Sequence, residues 1–167
     1  TGISNVHNMA IGSGTQNTSF RASVNYRNVN GILKKSGFDQ VNVRANITHT
    51  ALNDKLKLDI GFSSTDRRSD FSFTEGLRYA VLFNPTAPVR FPNGDFYQAI
   101  LFDNFNPVAI LEQNINDGKR KTINYSARVD YSIFENFTLT ANFARQFENN
   151  FNGQYFSRES FFVGLSR

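Results

Sequence analysis

The sequence has no cysteine and no tryptophan, and its 167 residues include four prolines and one methionine. Without cysteine there is no disulfide framework and no thiolate site for zinc or redox chemistry. No apolar run reaches the roughly 18–20 residues that a membrane helix needs, and the mean hydropathy is −0.41. That excludes spanning helices but not spanning strands, which are polar at every second residue and keep a low mean hydropathy while one face is fully apolar. Charge is also modest. The net +4 is scattered, with no long basic block, so no nucleic-acid partner is expected. What is abundant is aromatic: eighteen Phe and six Tyr.

Five segments alternate with period two, the signal of strands with one apolar face. Phe20, Ala22, Val24 and Tyr26 oppose Arg21, Ser23, Asn25 and Arg27. Val41, Val43, Ala45 and Ile47 oppose Gln40, Asn42, Arg44, Asn46 and Thr48. Leu56, Leu58, Ile60 and Phe62 oppose Lys57, Asp59, Gly61 and Ser63. The run from Thr122 to Ile133 places Ile123, Tyr125, Ala127, Val129 and Tyr131 opposite Asn124, Ser126, Arg128 and Asp130. Phe137, Leu139, Ala141 and Phe143 oppose Thr138, Thr140, Asn142 and Ala144. A weaker strand with His7, Met9 and Ile11 precedes them, and a seventh is expected to begin near Tyr155.

A soluble β-sandwich alternates too, because each of its sheets buries one face. Strand length separates the two readings. These strands run about 10–13 residues, against a mode of about 5–6 in globular proteins and about 9–11 for a transmembrane strand. Connections alternate as well. The links at 14–18, 52–55 and 135–136 are tight, and 30–37 is of medium length. A long segment at 66–119 and a polar, Asn-rich loop after Phe147 complete the series. Short turns at one end and long loops at the other characterise outer-membrane barrels.

The fold class expected is therefore all-β: six to seven antiparallel transmembrane strands of a larger barrel, with one long structured extracellular loop at 66–119. Residues 1–167 form part of one outer-membrane barrel domain, whose plug and remaining strands are absent. So few strands cannot close even a small barrel of about eight, and an open edge in lipid leaves backbone groups unsatisfied. No signal-peptide pattern opens the chain. Both ends are expected to be cuts in a longer polypeptide.

Parity sets direction. Tight turns are periplasmic and long loops extracellular, which puts Tyr26, Phe62, Tyr125 and Phe143 toward the outer edge and Phe20, Tyr131 and Phe137 toward the inner one. Arg145 lies on the apolar face near its outer end, where it can snorkel to the interface. Within the long loop, Thr74–Phe83 reads as a helix with Thr74 as N-cap, ended by Asn84-Pro85. Pro92-Asn93-Gly94 is a turn, and 108–113 a further helical turn.

Little chemistry is visible. His7 and His49 stand far apart on the apolar phase, where structural roles outweigh metal ligation. Asn114, Asn116, Asp117 and Gly118 lack the calcium-loop spacing and its terminal Glu. Gly12-Ser13-Gly14 precedes no helix, which argues against a phosphate loop. No Ser/His/Asp set or carboxylate pair emerges. The chain is expected not to be an enzyme, with no catalytic, cofactor or metal residues. Lys119-Arg120-Lys121 marks a solvated rim and is a weaker candidate for lipopolysaccharide phosphates. The candidate lumen residues are Arg21, Arg27, Arg44, Asp59, Arg128 and Asp130, for which salt-bridge networks are favoured over substrate contact. The loop candidates are Tyr79, Asn84, Pro85, Pro88, Phe91, Phe96 and Tyr97. Their rings either stack on ligand or form the loop's own small core.

Several stretches resemble the barrel of SusC/RagA-type TonB-dependent transporters. They are Thr18–Arg27 with Gly31-Ile32 and Ser36–Asp39, then Leu52–Leu58, then Leu77–Ala80 leading into Asn84–Val89, then Asn106–Ala109 with Glu112-Gln113 before Ala127–Tyr131. The likeness covers nearly the whole chain in order. It implies a 22-stranded barrel with an internal plug, energised by TonB through an N-terminal region absent here. It also implies a multi-pass outer-membrane location among lipid and lipopolysaccharide, and import of glycans or peptides with a SusD-like lipoprotein. A structural barrel subunit of a larger outer-membrane assembly, or a soluble carbohydrate-binding sandwich, are the alternatives.

Overall fold

The computed structural model describes residues 2–99 and 105–160. Six strands form one antiparallel sheet in chain order. They are β1 (Ile3–Gly14), β2 (Thr18–Asn30), β3 (Gly37–Ala51), β4 (Leu56–Asp70), β5 (Asn114–Phe134) and β6 (Phe137–Phe156). Two helices, α1 (Thr74–Leu82) and α2 (Pro107–Glu112), lie between β4 and β5. No described helix is long and apolar enough to cross a membrane.

Register brings the separate apolar phases onto one face. Met9 pairs with Val24 and Val24 with Val43. Ile47 pairs with Ile60, Ile60 with Ala127 and Ala127 with Phe143. A one-residue slip at any ladder would turn a strand's apolar set inward. On β5 the band runs from Ile133 to Ile123. That is about 33 Å along the strand, or about 25 Å tall at a tilt of about 40°, which matches the apolar belt of an outer-membrane barrel.

The short turns step along the sheet. Thr18 pairs with His49 beside the first turn. Ala51 pairs with Leu56 at the second, two residues beyond that row, and the third turn lies beyond Phe134–Phe137. In a tilted sheet such a stagger keeps all three turns at one membrane depth. The middle turn is unusual in its backbone: Leu52, Asn53 and Asp54 all have positive φ, between 53° and 66°. Asn and Asp tolerate this left-handed region better than Leu does.

Three boundaries differ from the sequence expectation. The strands run past the band, so the long connection spans 71–113 rather than 66–119. The polar segment after Phe147 continues β6 instead of forming a loop, and Tyr155 pairs with Ile115 at that strand's end instead of opening a seventh strand. The reason is physical. Above the band both faces carry polar residues, so the ladder persists while hydrophobic alternation vanishes. The N-cap of α1 is Phe73, with no side-chain cap bond, in place of Thr74.

Buried side chains among the described residues are few, and most sit in or beside the long loop: Phe73, Asn106, Ala109, Ile110 and Asn114. Gly76 lets α1 approach α2, since a Cβ there would lie 2.8 Å from Leu111 Cδ2.

Candidate functional site: the inward face and the loop above it

The face opposite the apolar band carries the polar phase of every strand. Near the short turns two of its cations, Lys57 and Arg128, have carboxylate partners. Asp130 accepts from Arg128 Nε at 2.9 and 3.1 Å and from Thr140 at 2.6 Å. Asp59 accepts from Thr48 at 2.6 Å and lies 3.4 Å from Lys57. Asp59 also stands directly opposite Arg128. Three of the six lumen candidates therefore share one network. Arg21 and Arg44 share the face but form no ion pair among the described residues.

Higher on the same face lies a row that the sequence reading largely missed. Arg27 is opposite Gln40, Gln40 opposite Arg67, Arg67 opposite Arg120 and Arg120 opposite Asn150. Phe38 sits between two of these guanidiniums, with Arg67 Cζ 3.9 Å and Arg27 Cζ 5.4 Å from its ring centre. Carrying the odd-numbered phase of β4 beyond Ser63 reaches Arg67 directly. Beyond Ser63 the opposite phase turns polar at Ser64 and Asp66, so the apolar alternation that marks the strand stops short of Arg67.

The triplet Lys119-Arg120-Lys121 is split by the pleat. Arg120 shares the polar face with Arg67, while Lys119 stands opposite Arg68 and Lys121 opposite Asp66 on the other face. The pleat likewise sends Asn116 and Gly118 to the face opposite Asp117, and the buried Asn114 amide donates to Ile110 O at 2.7 Å. Of the histidines, His49 Nδ1 lies 2.7 Å from Thr18 Oγ1 and His7 stacks on Tyr26. On the apolar phase, Arg145 folds over Phe147, 4.4 Å from the ring centre. Phe62, Tyr125 and Phe147 form a chain of rings at 5.5 and 6.4 Å toward the outer edge.

The loop is organised by Asn106, which is 1% exposed. Its amide donates to Val89 O at 2.7 Å and Tyr97 O at 3.0 Å, while its oxygen caps α2 through the Val108 and Ala109 N–H groups. Asn at an N-cap followed by Pro at N1 is a readable helix start. What the sequence does not reveal is that the same side chain ties two distant loop segments. A second fastening links the β2–β3 connection to the loop. Lys34 ion-pairs with Glu112, Arg90 reaches Glu112 at 2.6 Å, and Lys35 donates to Glu112 O at 2.9 Å. The Lys34 ammonium holds the Glu112 carboxyl below its ordinary value, against the opposing effect of burial and with help from Arg90.

Each aromatic loop candidate packs against a side chain of the loop, and Phe91 and Tyr97 pack against each other. Tyr79 meets Phe105 edge-on at 5.5 Å, Tyr97 lies 5.3 Å from Phe91 and 6.3 Å from Phe83, and Arg90 covers Phe96 at 3.8 Å. Asn84 turns the chain by accepting from Thr86 N at 3.0 Å, leaving Pro85 and Pro88 exposed. Outside this cluster, α1 presents Leu77 and Val81 to solvent, 54% and 82% exposed.

No protein-family model matches the chain. Among curated proteins it is 28% identical over 157 residues to TonB-dependent receptor P26 of Formosa agariphila, a match covering 91% of this chain and 16% of that receptor. It is 30% identical over 99 residues to TonB-dependent receptor SusC of Bacteroides thetaiotaomicron, covering 59% of this chain and 10% of that receptor. The chain thus spans less than a fifth of either relative. The sheet, its register and both relatives support one reading: a segment of the barrel of a SusC-type TonB-dependent receptor.

Proposed function

We propose that this chain is part of an outer-membrane active transporter that imports oligosaccharides or peptides, energised through TonB, with a SusD-like lipoprotein at its outer face. The observation that carries the reading is the division of one sheet into two surfaces. One is an apolar band about 25 Å tall, suited to lipid. The other carries Arg21, Arg27, Arg44, Asp59, Arg128 and Asp130, suited to a water-filled interior. The chain then crosses the membrane several times, with residues 71–113 outside.

The loop's place in this reading is to meet the lipoprotein and the captured substrate. Its internal hydrogen bonds and its Asn84–Val89 turn hold that surface ordered in advance, which lowers the cost of binding. Exposed Leu77 and Val81 on α1 are the apolar contacts it offers. The test is Leu77→Asp with Val81→Asp in the full-length receptor. The barrel should insert normally and resist heat, while the lipoprotein no longer co-purifies and growth on the transported nutrient slows. Unchanged co-purification and growth would reduce the loop to a cover.

A further inference from the structure

We infer that the upper inward face, around Arg67 and Arg120, is a subsite for the sulfate or carboxylate groups of an acidic saccharide. The inference deepens the transporter reading and rests on it. Four observations converge here. Arg67 and Arg120 are directly opposite on neighbouring strands, an arrangement of like charges that destabilises a ladder unless an anion offsets it. Arg120 has Glu148 at 3.4 Å, but Arg27 and Arg67 have no carboxylate partner among the described residues. At the short-turn end Lys57 and Arg128 are matched by Asp59 and Asp130, while Arg21 and Arg44 stand without a carboxylate among the described residues but face no arginine across a ladder.

The cations are also oriented. Phe38 fixes Arg27 and Arg67 against its ring, and Arg67 Nε donates to Ser69 Oγ at 3.1 Å. A guanidinium steadied against a ring in this way keeps its remaining N–H groups for two-pronged anion recognition. Finally, there is room. A hollow of about 280 Å³ is lined by Arg67, Ser69, Phe71, Arg120, Asn150 and Asn152. Gly118 makes space beneath it, since a Cβ there would lie 2.6 Å from Asn152 Oδ1 and 2.8 Å from the Phe71 ring. Phe71 is 44% exposed. Amide side chains for hydroxyls, an aromatic ring for a sugar face and two guanidiniums for acidic substituents favour an acidic saccharide over an acidic peptide.

The experiment uses the full-length receptor, purified with whatever lipoprotein accompanies it. Binding of size-matched dextran sulfate, alginate, neutral dextran and poly-glutamate oligomers is measured by calorimetry, for the native protein and for Arg67→Gln with Arg120→Gln. The native protein should bind at least one acidic saccharide more tightly than dextran and poly-glutamate. The double variant should lose roughly tenfold or more of that affinity, with heat-resistant migration and any dextran binding unchanged. Stronger binding of poly-glutamate would make the ligand an acidic peptide and overturn the saccharide assignment. Equal binding of neutral and acidic saccharides, acidic binding untouched by the double variant, or no binding of either acidic saccharide would overturn the subsite. The transporter reading fails separately, if the native receptor supports uptake of no saccharide or peptide.

Discussion

In the middle of the sheet, Ile60 and Phe143 are 54% and 59% exposed, whereas Ile110 and Asn106 in the loop are 0% and 1% exposed. The sheet is held within this chain by its backbone ladders and leaves its large apolar side chains open. The loop is held by its own side chains, through Asn106, the Glu112 ion pairs and the ring contacts. One region leaves both its faces, one apolar and one polar, to surroundings outside the chain. The other carries its own small core into water. Substitutions should therefore separate them: the sheet responds to polarity by face, the loop to the loss of particular partners.

The largest effect belongs to the lipid face. In the full-length receptor, Ala127→Arg or Ala45→Arg should each cost about 2–4 kcal/mol in a bilayer, measured by denaturant titration of reconstituted protein. Ser126→Arg, one residue away and pointing inward, should cost clearly less. Equal costs at Ala127 and Ser126 would remove the distinction between faces.

Next comes the loop's central side chain. Asn106→Ala removes the side-chain partner of Tyr97 O and of the first turn of α2, while Val89 O keeps the Tyr97 N–H, and unmet buried polar groups cost about 1–3 kcal/mol. Limited proteolysis should cut within 71–113 much faster, while the barrel keeps its heat-resistant migration. A variant that unfolds the barrel as well would show that loop and sheet are one cooperative unit.

The smallest effect is the fastening between loop and β2–β3 connection. Glu112→Gln should cost about 0.5–1 kcal/mol, since Lys34 and Arg90 are largely exposed and their pairing is screened by solvent. The Glu112 carboxyl is depressed in the folded state. Its contribution is therefore complete above the unfolded value of 4.5 and fades as pH falls through the lower folded value. Protection factors for hydrogen exchange at residues 31–36, taken against the intrinsic rate at each pH, should fall in acid for the native protein and be lower at neutral pH in the variant.

How much of this was legible beforehand follows the same division. Inside the band, Ile123 to Ile133 spells its strand and its face plainly, because lipid demands strict alternation. Above the band, Asn149, Asn150 and Asn152 are polar on both faces, so no alternation marks the upper half of β6 or the face that Arg67 and Arg120 share. The loop's helices were readable from Asn84-Pro85 and Pro107. Its fastenings were not. Lys34 and Glu112 lie far apart in sequence, and only the sheet brings the two connections together.

The central claim is that one sheet faces lipid on its odd-numbered β5 residues and an aqueous interior on its even ones. Spin labels placed singly at 123–130 in the reconstituted full-length receptor test this most directly, by collision with oxygen in lipid against a water-soluble nickel chelate. Labels at Ile123, Tyr125, Ala127 and Val129 should favour oxygen, and those at Asn124, Ser126, Arg128 and Asp130 the chelate. A flat profile, or one that alternates in the opposite sense, would contradict the account.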